Sequence, residues 1–280
     1  MPECRNDAHF YDVARDCIFH HDQGKDYGGE YPEPGACLDA INISNDYITA
    51  GKDAGYGTWY DTYVTIADIL GQGDQAKSAE FRLYVLGYAH FFNLDSPSSD
   101  WCNDNSFSLS WTEWRDGKRT KLSQPLRARI NDLTTKLNDQ ILNAVNQIND
   151  PRVHYVSITE GFTGHRFCEA GGNLGTDMYG SDNVWFWNVS PRGLTDNDND
   201  HALLQQEYDE MFNATYINTE SQNQSFGKFD WSDLLNFEKG LQATVPFQGA
   251  SPGIVLRPFH PTAAGHTPIK DSLKAAIHFD

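Results

Sequence analysis

The sequence predicts an α/β fold, a parallel sheet with flanking helices. Three observations carry this. Two short apolar runs rich in β-branched and aromatic residues, Phe81–Tyr88 and Val153–Ile158, read as buried strands. A long amphipathic helix lies between them. Glycine- or proline-marked stops bound the periodic segments. Strand, long helix, strand is a right-handed βαβ unit, which makes the two strands parallel.

The elements follow in chain order. "DAHFYDVARDCIF" opens with aromatic and apolar residues at mixed spacing, and a polar Gly/Pro-rich loop runs through "DYGGEYPEPGAC". "LDAINISNDYITAG" and "WYDTYVTIADILGQG" place apolar residues three and four apart and end at glycine, the pattern of two helices. The strongest helix spans Ser123 to about Ile148. Leu126, Ile130, Leu133, Leu137, Ile141, Val145 and Ile148 form its apolar stripe. Ser123 is its expected N-cap, Pro125 sits in the first turn, and "NDPR" ends it. From Glu169 to about Leu256 the pattern loosens into a Gly-, Asn-, Asp- and Trp-rich stretch, read as a loop-rich insertion at 169–256. A last helix is expected from Thr267 as N-cap, through Ile269, Leu273 and Ile277.

Composition narrows the function. The 280 residues, 39% hydrophobic and 13% aromatic, suffice for one large domain with a real core. Against 39 acidic residues stand 21 basic ones, a net charge of −18. A field of that sign repels phosphate backbones and anionic lipid, so neither nucleic acid nor a membrane surface is an expected partner. No apolar run approaches the roughly 20 residues of a membrane span.

Four sequons, at Asn42, Asn188, Asn213 and Asn223, point to a secreted glycoprotein, although Pro191 follows the second closely. Five cysteines point the same way, since four can pair and one is left over. Yet "MPECRNDAHF" has neither a basic n-region nor an apolar h-region, so no signal peptide is read there. A missing upstream segment is the expectation.

The C-terminal stretch "RPFHPTAAGH" holds the leading catalytic candidate. "GIVLRPF" is a short apolar run, "HPT" breaks it, and a helix follows. A histidine on such a loop is rigidly placed yet exposed, and a general base needs both properties. Proline at 261 stiffens the placement.

"FHPTAAGH" resembles the last conserved block of the SGNH, or GDSL, hydrolases, especially their secreted fungal branch. "VLGYAHFFN" (Val85–Asn93), "GFTGHRFCE" (Gly161–Glu169) and "NDAHFYDVARDCIF" (Asn6–Phe19) resemble other blocks, in the family's order. The resemblance covers 6–280 and implies a partial SGNH-hydrolase-like domain with a flavodoxin-like sheet. Residues 1–5 fall outside it, and the N-terminal strands are expected to be missing.

Carried over residue by residue, the resemblance makes His260 the general base and Asn6 an oxyanion-hole donor. The position three before the histidine, often an orienting Asp, is Arg257 here, so a Ser-His dyad is implied. The family's Gly-Asp-Ser nucleophile block is absent from this sequence. The resemblance also pairs Cys17 with Cys37 and Cys102 with Cys168, leaving Cys4 single; free buried cysteine is the alternative for each.

Other candidates are weaker. "GASPG", around Ser251, matches a nucleophile elbow in letters only: Pro252 stiffens the turn, and no acid lies between Ser251 and His260. "YGSD", Tyr179–Asp182, reads as a turn. Asp196, Asp198, Asp200 and Glu207 fall at calcium-loop spacing, but His201 replaces the glycine such a loop needs. An acidic loop with Asp200 capping the helix "HALLQQEYDEMF" is the plainer reading. His20, His21, the His260/His266 pair and His165 near Cys168 lack a matching second half for a metal. Trp185 and Trp187 fit a sugar-binding face, although burial in an aromatic cluster is the commoner outcome for such residues.

The expectation is therefore a secreted, monomeric carboxylic-ester hydrolase that uses no cofactor and acts on a small-molecule or polysaccharide ester. As given, the chain should be inert for want of its nucleophile. The alternative is a non-catalytic binding or structural protein on the same scaffold.

Overall fold

The computed structural model describes residues 8–19, 30–75, 81–95, 100–107, 121–173, 177, 183–186, 260–262 and 264–277. Asn6, Cys4, His20, His21, Trp187, Asn188, Asn213, Asn223, Asp196, Asp198, Asp200, Glu207, Ser251 and Arg257 lie outside them, as does most of the stretch 169–256.

The described chain begins with a short helix, α1 (Phe10–Val13), which widens into a π-helical turn over Ala14–Phe19. Helix α2 (Ala36–Ile48) buries Cys37, Ala40, Ile41, Ser44, Tyr47 and Ile48, residues three and four apart on one face. Helix α3 (Thr58–Gln75) follows, then strand β1 (Leu83–Leu86), helix α4 (Gln124–Ile148), strand β2 (Val153–Val156) and helix α5 (His266–Ile277).

Strands β1 and β2 pair in parallel, Leu83 opposite Val153 through Leu86 opposite Val156, with α4 as the crossover. The fold is therefore α/β, and among the described residues the sheet has two strands. Helices α3 and α4 pack against each other. In the apolar stripe of α4, Leu126, Ile130, Leu133, Ile141 and Val145 are buried, while Leu137 and Ile148 pack at the margins of the core. Among the described residues no helix is long and apolar enough to cross a membrane.

Both strands are shorter than their apolar runs, and α4 supplies the reason for β1. Asn138 accepts from the Tyr88 N–H at 2.7 Å and donates to the Tyr88 carbonyl at 2.8 Å. Asn131 does the same for Phe92, accepting at 3.3 Å and donating at 2.8 Å. Between them His90 Nε2 meets Thr135 Oγ1 at 2.9 Å. Tyr88 thus exchanges its sheet partner for a helix side chain, and Phe92, also held by α4, bridges in parallel to Phe167. The lengths nearly match, since seven helical residues rise about 10.5 Å and four extended ones about 13 Å. Gly87 marks the changeover, because a Cβ there would collide with the Tyr155 hydroxyl.

Two helix caps differ from expectation. Ser123 precedes α4 as predicted, but its hydroxyl makes no cap bond; Asn103 Oδ1, from the 3-10 turn Asp100–Asp104, accepts the Gln124 N–H at 2.9 Å. Helix α5 starts at His266 rather than after Thr267. Thr262 takes the capping position, its carbonyl accepting the His266 N–H at 3.1 Å and its Oγ1 the Gly265 N–H at 3.3 Å.

Two disulfides join Cys17 to Cys37 and Cys102 to Cys168, the pairing the family resemblance implied.

Candidate active site

His260 is exposed, at the start of a turn fixed to the core on its far side. Pro261 bridges antiparallel to Phe186. The Thr262 N–H donates to the Trp185 carbonyl at 2.8 Å, and Thr262 Oγ1 donates to the same oxygen at 3.3 Å. Gly265 passes so close that a Cβ would stand 2.5 Å from that carbonyl, which explains a glycine before the helix.

Phe186 anchors the turn. It is buried, stacked on Phe162 at 4.7 Å between ring centroids, and meets Phe91 edge-on at 5.3 Å. Phe91 in turn stacks on Phe10 at 4.9 Å. A continuous aromatic column thus links the turn after His260 to Phe10, four residues beyond Asn6. The two ends of the described chain share one core.

Chain geometry just past Asn6 is unusual. Ala8 and His9 both have left-handed backbone, with φ of 49° and 62°. Such residues cost on the order of 1–3 kcal/mol each and persist where surroundings over-determine them. Here Ser44 Oγ donates to the Ala8 carbonyl at 2.7 Å, and the His9 ring meets Tyr47 edge-on at 5.2 Å.

Beyond the carboxyl ends of β1 and β2 lie Tyr88, His90, Thr159, Glu160, His165 and Arg166. In open α/β sheets, ligands bind at this end of the strands. Thr135 Oγ1 also donates to the Asn131 carbonyl at 3.1 Å, so the His90 Nε2 must be the donor in its contact with Thr135. Burial pushes the His90 pKa below the ordinary histidine value; the Arg166 cation adds to this and Glu160 opposes it. His165 lies flat on Trp185, ring centroids 3.4 Å apart, and its Nδ1–H donates to the Asn183 carbonyl at 3.0 Å. Arg166 is held by Glu169 at 2.9 Å.

The His90 shift has a signed consequence. Its folded pKa lies below the unfolded one, so the folded state binds fewer protons as pH falls. This contribution to stability is complete above about pH 6.5 and is lost on acidification through that value. His90→Gln should reduce the drop in melting temperature between pH 7.5 and 5. A drop as large in the variant as in the parent contradicts the assignment.

Asn42 is exposed on α2, as an acceptor for glycan must be. Trp185 is half-buried, its ring taken up by His165 and the edge of Phe162, which favours the buried-cluster reading of this tryptophan. His165 and Cys168 form no metal half-site, because Cys168 is disulfide-bonded. Among the described residues the one close group of metal-ligand types is Cys102, Cys168 and Asp177. Its two sulfurs are joined, and Asp177 accepts the Cys168 N–H at 2.5 Å, so the group is structural.

Sequence reasoning missed Asn131, Thr135 and Asn138, which position Phe92, His90 and Tyr88 in turn. A trace existed: two asparagines seven apart border the apolar stripe on a helix otherwise well explained.

No protein-family model matches the chain, and no curated protein matches it by sequence. Two solved structures are similar to it. One is an extracellular lipase from Streptomyces rimosus, at 18% identity and a TM-score of 0.37, over 68% of this chain and 56% of that one. The other is phospholipase A1 from Streptomyces albidoflavus NA297, at 19% identity and a TM-score of 0.39, over 69% and 57%. The chain spans a little over half the length of each.

Proposed function

We propose that this chain belongs to a secreted carboxylic-ester hydrolase of the SGNH type, with His260 as general base and Asn6 as an oxyanion donor. The observation that carries the reading is the placement of His260. It is exposed, yet the next two residues are bound to Trp185 and Phe186. A base must hold its position while a proton moves, and this turn holds it. The strained backbone at Ala8 and His9, two and three residues after Asn6, supports a second functional position there.

In the proposed reaction His260 takes the proton of a serine hydroxyl as its oxygen attacks the ester carbonyl. The carbonyl π electrons move to oxygen, and the Asn6 amide donates to that developing anion, an interaction worth roughly 3 kcal/mol. Collapse expels the alkoxide, which takes the proton from His260 and leaves as alcohol. Water, deprotonated by the same imidazole, then cleaves the acyl-serine. The serine comes from a Gly-Asp-Ser segment, which this sequence does not contain. The two disulfides and the exposed Asn42 side chain of a sequon support secretion.

A short-chain p-nitrophenyl ester assay tests the reading. The chain alone and its His260→Ala variant should both lack saturable turnover. Joined to a Gly-Asp-Ser segment, the protein should turn over, and His260→Ala should then lower kcat about 10²–10⁴-fold. Saturable turnover by the chain alone, abolished by His260→Ala, overturns the external serine. Turnover indifferent to that substitution removes His260 from the site.

A further inference from the structure

A cavity of about 310 Å³ lies between α3, α4 and the outer edge of β1, away from the His260 turn's contacts. It is at the small end of the roughly 300–1,000 Å³ range of ligand sites. Its walls are mainly apolar, with Ile66 and Ile69 from α3, Leu83 and Val85 from β1 and Leu137 and Ile141 from α4, and Thr62, Thr65, Tyr84 and Tyr88 also line it.

One end is polar. Thr58, Asp61 and Tyr47 line it, and the Tyr47 hydroxyl donates to the Asp61 carboxylate. Thr58 is 6% exposed, and its Oγ1 has no hydrogen-bond partner. A buried hydroxyl left unsatisfied costs about 1–3 kcal/mol, so it calls for a partner from elsewhere. The Tyr47–Asp61 bond ties α2 to α3 across this end. The occupant is therefore a molecule that stops there rather than a chain passing through.

We propose that this cavity binds a neutral, slender aliphatic alcohol, its tail along β1 beneath α3 and its hydroxyl between Thr58 and Asp61. An alcohol oxygen accepts from the Thr58 hydroxyl while its own proton goes to the Asp61 carboxylate, which satisfies both groups. A carboxylate head would sit against Asp61 in a chain of net charge −18 and is repelled. An ammonium head can donate to Asp61 and to Thr58 Oγ1, but it leaves the Thr58 proton without an acceptor and must shed its hydration to enter the apolar space. At interior packing density the space suits roughly ten to fifteen non-hydrogen atoms. This inference does not rest on the hydrolase reading, because the cavity touches neither His260 nor its turn.

Calorimetric titration with 1-octanol, octanoate and octylamine tests it. 1-Octanol should bind saturably at one site, with octanoate at least tenfold weaker and octylamine weaker than the alcohol. Thr58→Val keeps the side-chain shape and breaks no existing hydrogen bond, so it should fold normally yet weaken 1-octanol about fivefold. Ile69→Phe, which fills the cavity, should abolish binding while circular dichroism stays unchanged. Non-saturable uptake, tighter binding of octanoate or octylamine, or 1-octanol binding that survives both substitutions overturns the proposal.

Discussion

Arg127→Met is expected to lower the unfolding free energy by about 3–5 kcal/mol, because it leaves three buried acceptors without their donor at about 1–3 kcal/mol each. The guanidinium is fully buried inside α4's contact with two loops. Its Nε donates to the Leu122 carbonyl at 2.8 Å, Nη1 to the Asn93 carbonyl at 2.7 Å, and Nη2 to Asn103 Oδ1 at 2.9 Å. Methionine fills similar space but strands these acceptors away from water. Asn103 Oδ1 also caps α4 through Gln124, so the same substitution loosens the start of the longest helix. Arg127→Lys should recover only part of the loss, since a single ammonium cannot reproduce the planar fork. Urea unfolding monitored by tryptophan fluorescence checks both variants; a shift of less than 1 kcal/mol for Arg127→Met contradicts the network's importance.

Phe186→Ala should cost about 3–5 kcal/mol, the usual penalty for truncating a buried phenylalanine. It should also do what a comparable core truncation does not. Phe186 packs between Phe162, Phe91 and Phe167, and its backbone carries Pro261. Emptying that site leaves the turn after His260 without its footing. Hydrogen exchange should accelerate at the Thr262 and Gly265 amides more than at the α4 amides. Uniform acceleration across both regions shows a loss of global stability without special control of the turn.

What the sequence revealed depended on whether one segment's pattern determined the outcome. Helix α4 was legible because seven apolar residues at helical spacing and a proline in the first turn act within one helix. Both strands were legible in place and in parallel sense, since a long helix between two strands is the crossover that parallel pairing needs. Their lengths were not, because Tyr88 exchanges strand pairing for Asn138, fifty residues away. Arg127 looks like a surface residue beside the stripe. It is buried because carbonyls at 93 and 122 converge on it, a fact no local pattern encodes. The cap on α4 fails to read for the same reason, as Asn103 comes from the 3-10 turn Asp100–Asp104. For His260, the proline and the following helix lead to an exposed histidine on a held turn; it is exposed, and Pro261 and Thr262 after it are bound to Phe186 and Trp185.

The central proposal is that His260 and Asn6 serve one ester, His260 as general base and Asn6 as oxyanion donor. Cysteines placed at these two positions, in a chain also carrying Cys4→Ser, test it directly. A short bismaleimide should join Asn6→Cys to His260→Cys within one folded molecule, detected as a linked peptide pair by mass spectrometry. If each thiol labels readily alone but no intramolecular link forms, the two residues do not share a site and the proposed hydrolase chemistry fails.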